Sequence, residues 1–125
     1  MEPLKSPVRE AAVAGQFYPG SAGDLRRAVS EMLGEGPARR ALGVMAPHAG
    51  YIYSGAVAGE VYASVALPHR FVIIGPNHTG LGPPASLMAE GTWRLPGGDV
   101  AIDTALAGDI LSRSSVLTAD SSAHA

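Results

Sequence analysis

The residues of this chain best suited to chemistry are two histidines thirty residues apart, His48 and His78. Each follows a short apolar run and a turn containing proline: Val44-Met45-Ala46-Pro47-His48-Ala49-Gly50-Tyr51 in one case, Ile73-Ile74-Gly75-Pro76-Asn77-His78-Thr79 in the other. Neutral imidazole is a common ligand for iron, zinc or copper, and a strand end holds it rigidly. Two histidines at equivalent places after neighbouring strands therefore point to a shared metal. Catalytic centres usually take about three protein ligands and keep positions open for water or substrate. His124 or Asp120 could add a third ligand from the tail, or the remaining ligands lie outside this chain. On position alone, Tyr51, Asn77 and Thr79 are candidates for contacts around the metal or for lining a pocket beside it. His69, in the turn Pro68-His69-Arg70, reads as an exposed histidine with no such role.

Other chemistries are less well supported. Gly75-Pro76-Asn77-His78 lacks the Lys-Ser/Thr ending of a phosphate-binding loop, and no Gly-x-Gly-x-x-Gly follows a strand. Ser54 near His48 imitates a nucleophile and its base, but no Gly-x-Ser-x-Gly elbow is present. As the N-cap of a helix, Ser54 needs no catalytic role.

The elements expected to hold the histidines are a strand over residues 41–46, a helix over 54–67 and a strand over 71–74. Uninterrupted apolar runs ended by Gly or Pro fit buried parallel strands, so the three make a βαβ unit. Both histidines then sit at the C-terminal edge of an open α/β sheet, where ligands bind. In the connecting helix Val57, Val61 and Val65 recur every four residues, Glu60 is the only charge, and protein is expected to cover most of the surface. Gly55 and Gly59, four apart, point to close backbone packing.

Around this unit the pattern is less constrained. Residues up to about Val8 read as a flexible lead-in, followed by a short strand over 8–13. The turn at 14–20 carries Phe17 and Tyr18, read either as an anchor for the N-terminal arm or as pocket lining. A helix begins at an N-cap Ser21, with Leu25, Ala28, Val29, Met32 and Leu33 forming one apolar stripe and Gly34 ending it. The Gly/Pro-rich stretch 75–84 is a long loop of the kind that carries function. A strand over 86–90, a hairpin over 91–99, and a helix capped by Asp103 with Leu106, Ala107, Ile110 and Leu111 on one face complete the reading. Val116-Leu117 starts a further strand, and residues 121–125 form a polar tail.

The 125 residues suit one domain, and 46% hydrophobic against 16% charged content predicts a globular chain with a substantial buried core. A net charge of −2 gives no electrostatic case for nucleic acid or an anionic membrane. The absence of cysteine removes disulfides, thiol nucleophiles and thiolate ligands from this chain. No signal-peptide core opens the sequence and no run reaches membrane-span length, so a cytoplasmic protein is expected.

The stretch Ala46-Pro47-His48-Ala49-Gly50-Tyr51-Ile52-Tyr53-Ser54-Gly55 resembles the signature of the MEMO family, known in bacteria and archaea as AmmeMemoRadiSam system protein B. Arg9 with Ala14-Gly15-Gln16-Phe17-Tyr18-Pro19 is similar to that family's opening arm, and Gly75-Pro76-Asn77-His78 to its second histidine loop. Gly91-Thr92-Trp93 through Val100-Ala101-Ile102-Asp103 is similar to its next segment, although Leu95-Pro96-Gly97-Gly98 departs from the usual Thr-Pro-Leu-Gly. The resemblance implies an α/β fold with a parallel or mixed sheet flanked by helices, like the class III extradiol dioxygenases. It implies a non-haem Fe(II) centre with His48 and His78 among the ligands, zinc or copper being alternatives, and redox chemistry on an unknown small molecule or peptide. The family's members continue into a Glu-His-Ser-Leu-Glu-type motif, so the chain resembles the N-terminal half of such a protein. Such a half is expected to bind metal weakly alone and to expose a sheet edge that favours oligomers. A non-enzymatic module binding a peptide or protein in the same cleft is the alternative, because likeness of fold does not transfer activity.

Overall fold

The computed structural model describes residues 6–125, which divide into two compact units, residues 72–125 with the N-terminal arm up to Ala12, and residues 13–71. The chain is α/β, with parallel and antiparallel strand pairs and three α-helices among the described residues. Residues 1–5 of the lead-in lie outside the described residues.

In the first unit the N-terminal arm ends in a strand, β1 (Val8–Arg9). Its ladder is parallel to β3 (Thr92–Leu95), pairing Val8 with Thr92 and Arg9 with Trp93. The Thr92 N–H also donates to the Pro7 carbonyl at 3.0 Å, so the end of the expected lead-in is tied down. Between these elements lies β2 (Ser86–Leu87), and β3 turns antiparallel into β4 (Gly98–Ala101) through Pro96-Gly97, the expected hairpin. The Arg9 guanidinium lies 4.4 Å from the centre of the Trp93 ring, a cation–π contact that fastens the arm. Arg94 adds exposed pairs to Glu10 at 3.0 Å and Asp99 at 3.4 Å, each worth only tenths of a kcal/mol, about 0.2–1. Helix α3 (Thr104–Arg113) starts at Asp103, whose carboxylate accepts from the Leu106 N–H at 2.9 Å. The expected face is turned inward, with Ala107 buried and Leu106, Ile110 and Leu111 half-buried. Strand β5 (Thr118–Ala119), slightly later than Val116-Leu117, pairs parallel to β2. The tail residues Ser122–His124 form a 3₁₀ turn.

In the second unit, α1 (Ala22–Met32) begins at Ser21, whose hydroxyl accepts from the Asp24 N–H at 3.2 Å and donates to the Asp24 carboxylate at 2.7 Å. That reciprocal cap is worth about 1 kcal/mol. Leu25, Ala28, Val29 and Met32 are half-buried as the stripe requires, while Leu33 is exposed. Helix α2 spans Tyr51–Ala63, starting and ending earlier than the expected 54–67. Its N-cap is Gly50, and Ser54 lies inside the helix instead of capping it. Ser54, Gly55 and Gly59 are buried, and Tyr51, Ala58, Val61 and Ala63 are half-buried. At Gly59 any side chain would run into the Met32 carbonyl of α1, so backbone meets backbone there and only glycine fits.

Three expectations are overturned. Residues 41–46 and 71–74 belong to no strand, and Leu42, Met45, Ile73 and Ile74 are exposed, Met45 to 91% and Ile74 to 92%. A parallel strand persists only with a hydrogen-bonding neighbour and cover on both faces. Here the backbone of Arg39 pairs instead with the end of α2, accepting from Ala66 N–H and donating to Ser64 O, both at 2.9 Å. The covering of α2 is also partial: Ile52, Tyr53 and Val57 are exposed, while Gly55 and Gly59 lie against Met32 of α1. The expected substantial core is correspondingly thin. Among the described residues, Met88 and Ala107 are the buried apolar side chains. No helix among the described residues is long and apolar enough to cross a membrane.

Candidate metal centre

His48 lies two residues before α2, and the geometry around it is set by how that helix begins. Gly50 abuts the turn at 14–20 so closely that an added Cβ would stand 3.4 Å from the Phe17 carbonyl. The Tyr51 N–H, a helix-terminal donor with no partner inside the helix, gives its hydrogen to that same Phe17 carbonyl at 2.8 Å. The buried Ser54 hydroxyl reaches back to the Ala49 carbonyl at 3.0 Å, holding the residue next to His48. The Tyr51 ring packs on Tyr18, centroids 5.6 Å apart and tilted by 40°. The turn at 14–20 is therefore an anchor, joined by the Phe17 carbonyl and the Tyr18 ring. Burial, and then the neighbouring Tyr18 and Tyr62 hydroxyls, push the Tyr51 pKa above its ordinary value, so its O–H stays a donor at neutral pH. His48 itself is exposed.

His78, also exposed, sits in a loop organised by the residue before it. The Asn77 side-chain oxygen accepts from the Thr79 N–H at 3.0 Å, the Thr79 hydroxyl at 3.1 Å and the Gly80 N–H at 2.9 Å. The Asn77 amide nitrogen donates to the Leu81 carbonyl at 2.7 Å, and the Leu81 N–H donates to the Thr79 hydroxyl at 3.2 Å. The polar groups of Asn77 and Thr79 thus bond within the loop. Asn-His-Thr-Gly is legible in sequence as an Asn-initiated turn, a reading that position alone did not supply.

The loop reaches the tail at Gly82, where a Cβ would meet the Asp120 carboxylate at 2.6 Å and the Ser122 hydroxyl at 3.0 Å. The φ of +72° at Gly82 favours glycine as well. Asp120 is occupied by its own turn. One oxygen accepts from the Ser122 hydroxyl at 2.5 Å and from the Ser122 and Ala123 N–H groups at 2.9 and 3.2 Å. The Ser122 hydroxyl bond, foremost among these, holds the carboxyl below its ordinary pKa. The Nε2 of His124 is buried without a hydrogen-bond partner among the described residues.

His48 and Tyr51 lie in the unit 13–71, and His78, Asn77 and Thr79 in the other. Among the described residues no three His, Cys, Asp or Glu side chains are grouped to hold a metal ion. Each imidazole suits iron, zinc or copper in donor chemistry.

Residues 9–125 match the model of the Memo-like protein family. The chain belongs to the Memo family. It is 46% identical over 133 residues to a MEMO1 family protein of Ignicoccus hospitalis, covering 94% of this chain and 47% of that protein. It is 41% identical over 131 residues to a MEMO1 family protein of Desulfurococcus amylolyticus, covering 93% and 46%. With a MEMO1 family protein of Aquifex aeolicus the identity is 44% over 106 residues, covering 83% and 40%. The chain spans less than half the length of these Memo relatives.

Proposed function

We propose that His48 and His78 are two imidazole ligands of a non-haem metal centre, Fe(II) in first place, in a Memo protein acting on a small molecule or peptide. The observation that carries this reading is the way each histidine is held. Both are exposed, and both lie on backbone braced by side-chain hydrogen bonds from an immediate neighbourhood, Ser54 to Ala49 in one case and Asn77 to residues 79–81 in the other. A histidine retained only for packing has no need of such bracing on the surface. Fe(II) bound there would supply a Lewis-acidic redox centre. The protein's part is to present two neutral ring nitrogens, and the Tyr51 hydroxyl is a candidate proton donor toward the bound substrate. Further ligands come from outside the described residues, consistent with a chain that spans less than half of its relatives.

The test is anaerobic loading with Fe(II), followed by metal analysis and oxygen uptake with catechol-type substrates. Substitution of both His48→Ala and His78→Ala is expected to abolish stoichiometric iron. Unchanged iron content in the double variant would overturn the proposal.

A second reading has its own support. Met45, Ile52 and Tyr53, all in the unit 13–71, are exposed to 91%, 87% and 85%, more apolar surface than a lone domain normally presents. That favours a module that binds a peptide or protein, in which case binding persists in chelator and no turnover occurs.

A further inference from the structure

We infer that Asn77 is a positioning residue, whose side chain fixes the direction in which His78 presents its imidazole. The inference rests on the proposed role of His78 as a ligand and goes beyond it by assigning how that ligand is oriented.

The loop carrying His78 is exposed from residue 71 through residue 82, so burial does not order it. Asn77 ties residues 77–81 of it together. Asn77 makes four hydrogen bonds, and they bracket His78 from both sides: the side chain precedes it, and the partners are the backbone and hydroxyl groups of residues 79, 80 and 81. Thr79 reinforces the bracket, because its hydroxyl both donates to Asn77 and accepts from Leu81. Gly80, at φ +71°, supplies the left-handed residue that lets the chain fold back over the amide. The peptide units on both sides of His78 are thereby fixed, and with them the direction of its Cα–Cβ bond.

The chemistry of the amide matters as well as its shape. Asp at this position would accept the same three hydrogen bonds but could not donate to the Leu81 carbonyl. Only the amide can accept from Thr79 and Gly80 and donate to Leu81 at once. Partners that orient a metal ligand typically account for a 10- to 100-fold effect on metal affinity, which sets the size of the expected change.

The test uses the 125-residue chain labelled with ¹⁵N, with Co(II) as the probe. In Asn77→Ala, the heteronuclear NOE of residues 78–81 should fall while the melting temperature of the chain barely moves. Co(II) affinity at His78, read from paramagnetic broadening of its ring protons, should weaken about tenfold. Asn77→Asp, which keeps the acceptor but loses the donor to Leu81, should restore the NOE at Thr79 and Gly80 and leave that of Leu81 low. The inference is overturned if Asn77→Ala keeps its loop order, or if it binds Co(II) like the parent while His78→Ala loses it. If the parent chain shows no broadening at His78 even at saturating Co(II), the ligand role of His78 is decided by the iron content of the full-length double variant. The NOE and the His78 ring-to-loop contacts still decide whether Asn77 positions it.

Discussion

The two histidine loops share a sequence plan and are held by different physics. His48 is placed from a distance in sequence: the Phe17 carbonyl takes the Tyr51 N–H, Tyr18 packs on Tyr51, and α2 is seated on α1 through Gly59 against Met32. His78 is placed by its neighbours, through Asn77 and Thr79 bonding within five residues. A loop set by tertiary contacts inherits the stability of its unit, whereas a loop set by a local turn survives as long as the turn does. The contrast predicts that the two histidines can be disturbed one at a time.

The largest effect is expected from Gly59→Val. Its branched side chain would be forced into the Met32 carbonyl, and overpacking of this kind costs about 1–3 kcal/mol. Far-UV circular dichroism and thermal melting should register the loss of α1 against α2. Amide exchange near Tyr51 should accelerate while exchange at Thr79 and Gly80 stays as it was. If both loops loosen together, the distinction between them is lost.

Ser54→Ala is the milder cut on the same side. It removes the bond to the Ala49 carbonyl from a position that is only 8% exposed, at a cost of about 1 kcal/mol. The expected result is a small drop in melting temperature, with ring and amide shifts at His48 and Ala49 larger than anywhere in residues 77–82. Shifts spread evenly over both loops would show that Ser54 stabilises the fold without shaping the first one.

The same contrast explains what could be read in the amino-acid sequence. Features carried by local chemistry were legible: the Ser21 and Asp103 caps, the stripe of α1, the face of α3 and the hairpin after Thr92 all stand where residue types put them. The Pro-His-Ala-Gly-Tyr stretch around His48 and the Gly-Pro-Asn-His stretch around His78 also carried the family, which the match over residues 9–125 bears out. Features that depend on distant partners were not legible. Val72, Ile73 and Ile74 are ideal strand residues, yet a β-branched run states only a preference for a covered sheet, and here they stand exposed. In α2 the glycine spacing was legible, since Gly55 and Gly59 do pack closely on Met32 of α1, but the extent of cover was not, and Val57 of the valine repeat stands exposed. The role of Asn77 lay between the two kinds: its turn chemistry was in the sequence, but only the four hydrogen bonds reveal that it orders the residue that follows.

The smallest effect concerns the second loop and the turn it touches. The Asp120 carboxylate is held below its ordinary pKa chiefly by the Ser122 hydroxyl, with the Ala123 N–H next, and Gly82 of the His78 loop lies against it. A carboxyl whose folded pKa is depressed contributes stability above its unfolded pKa and loses it as pH falls through the folded value. The turn over residues 120–123 should therefore hold at neutral and mildly acidic pH and loosen only below the ordinary carboxylate range. Because Asp120 keeps part of its surface in solvent, the contribution is screened and the chain as a whole should not unfold with it. Proton NMR across that range should show Ser122 and Ala123 amide shifts moving together with those of Gly82, while Tyr51 and Ser54 do not respond. Asn at position 120 keeps an acceptor without the titration, so Asp120→Asn should flatten the curve at Gly82. A pH response at Gly82 that survives this substitution would trace the coupling to another group and detach the His78 loop from the tail.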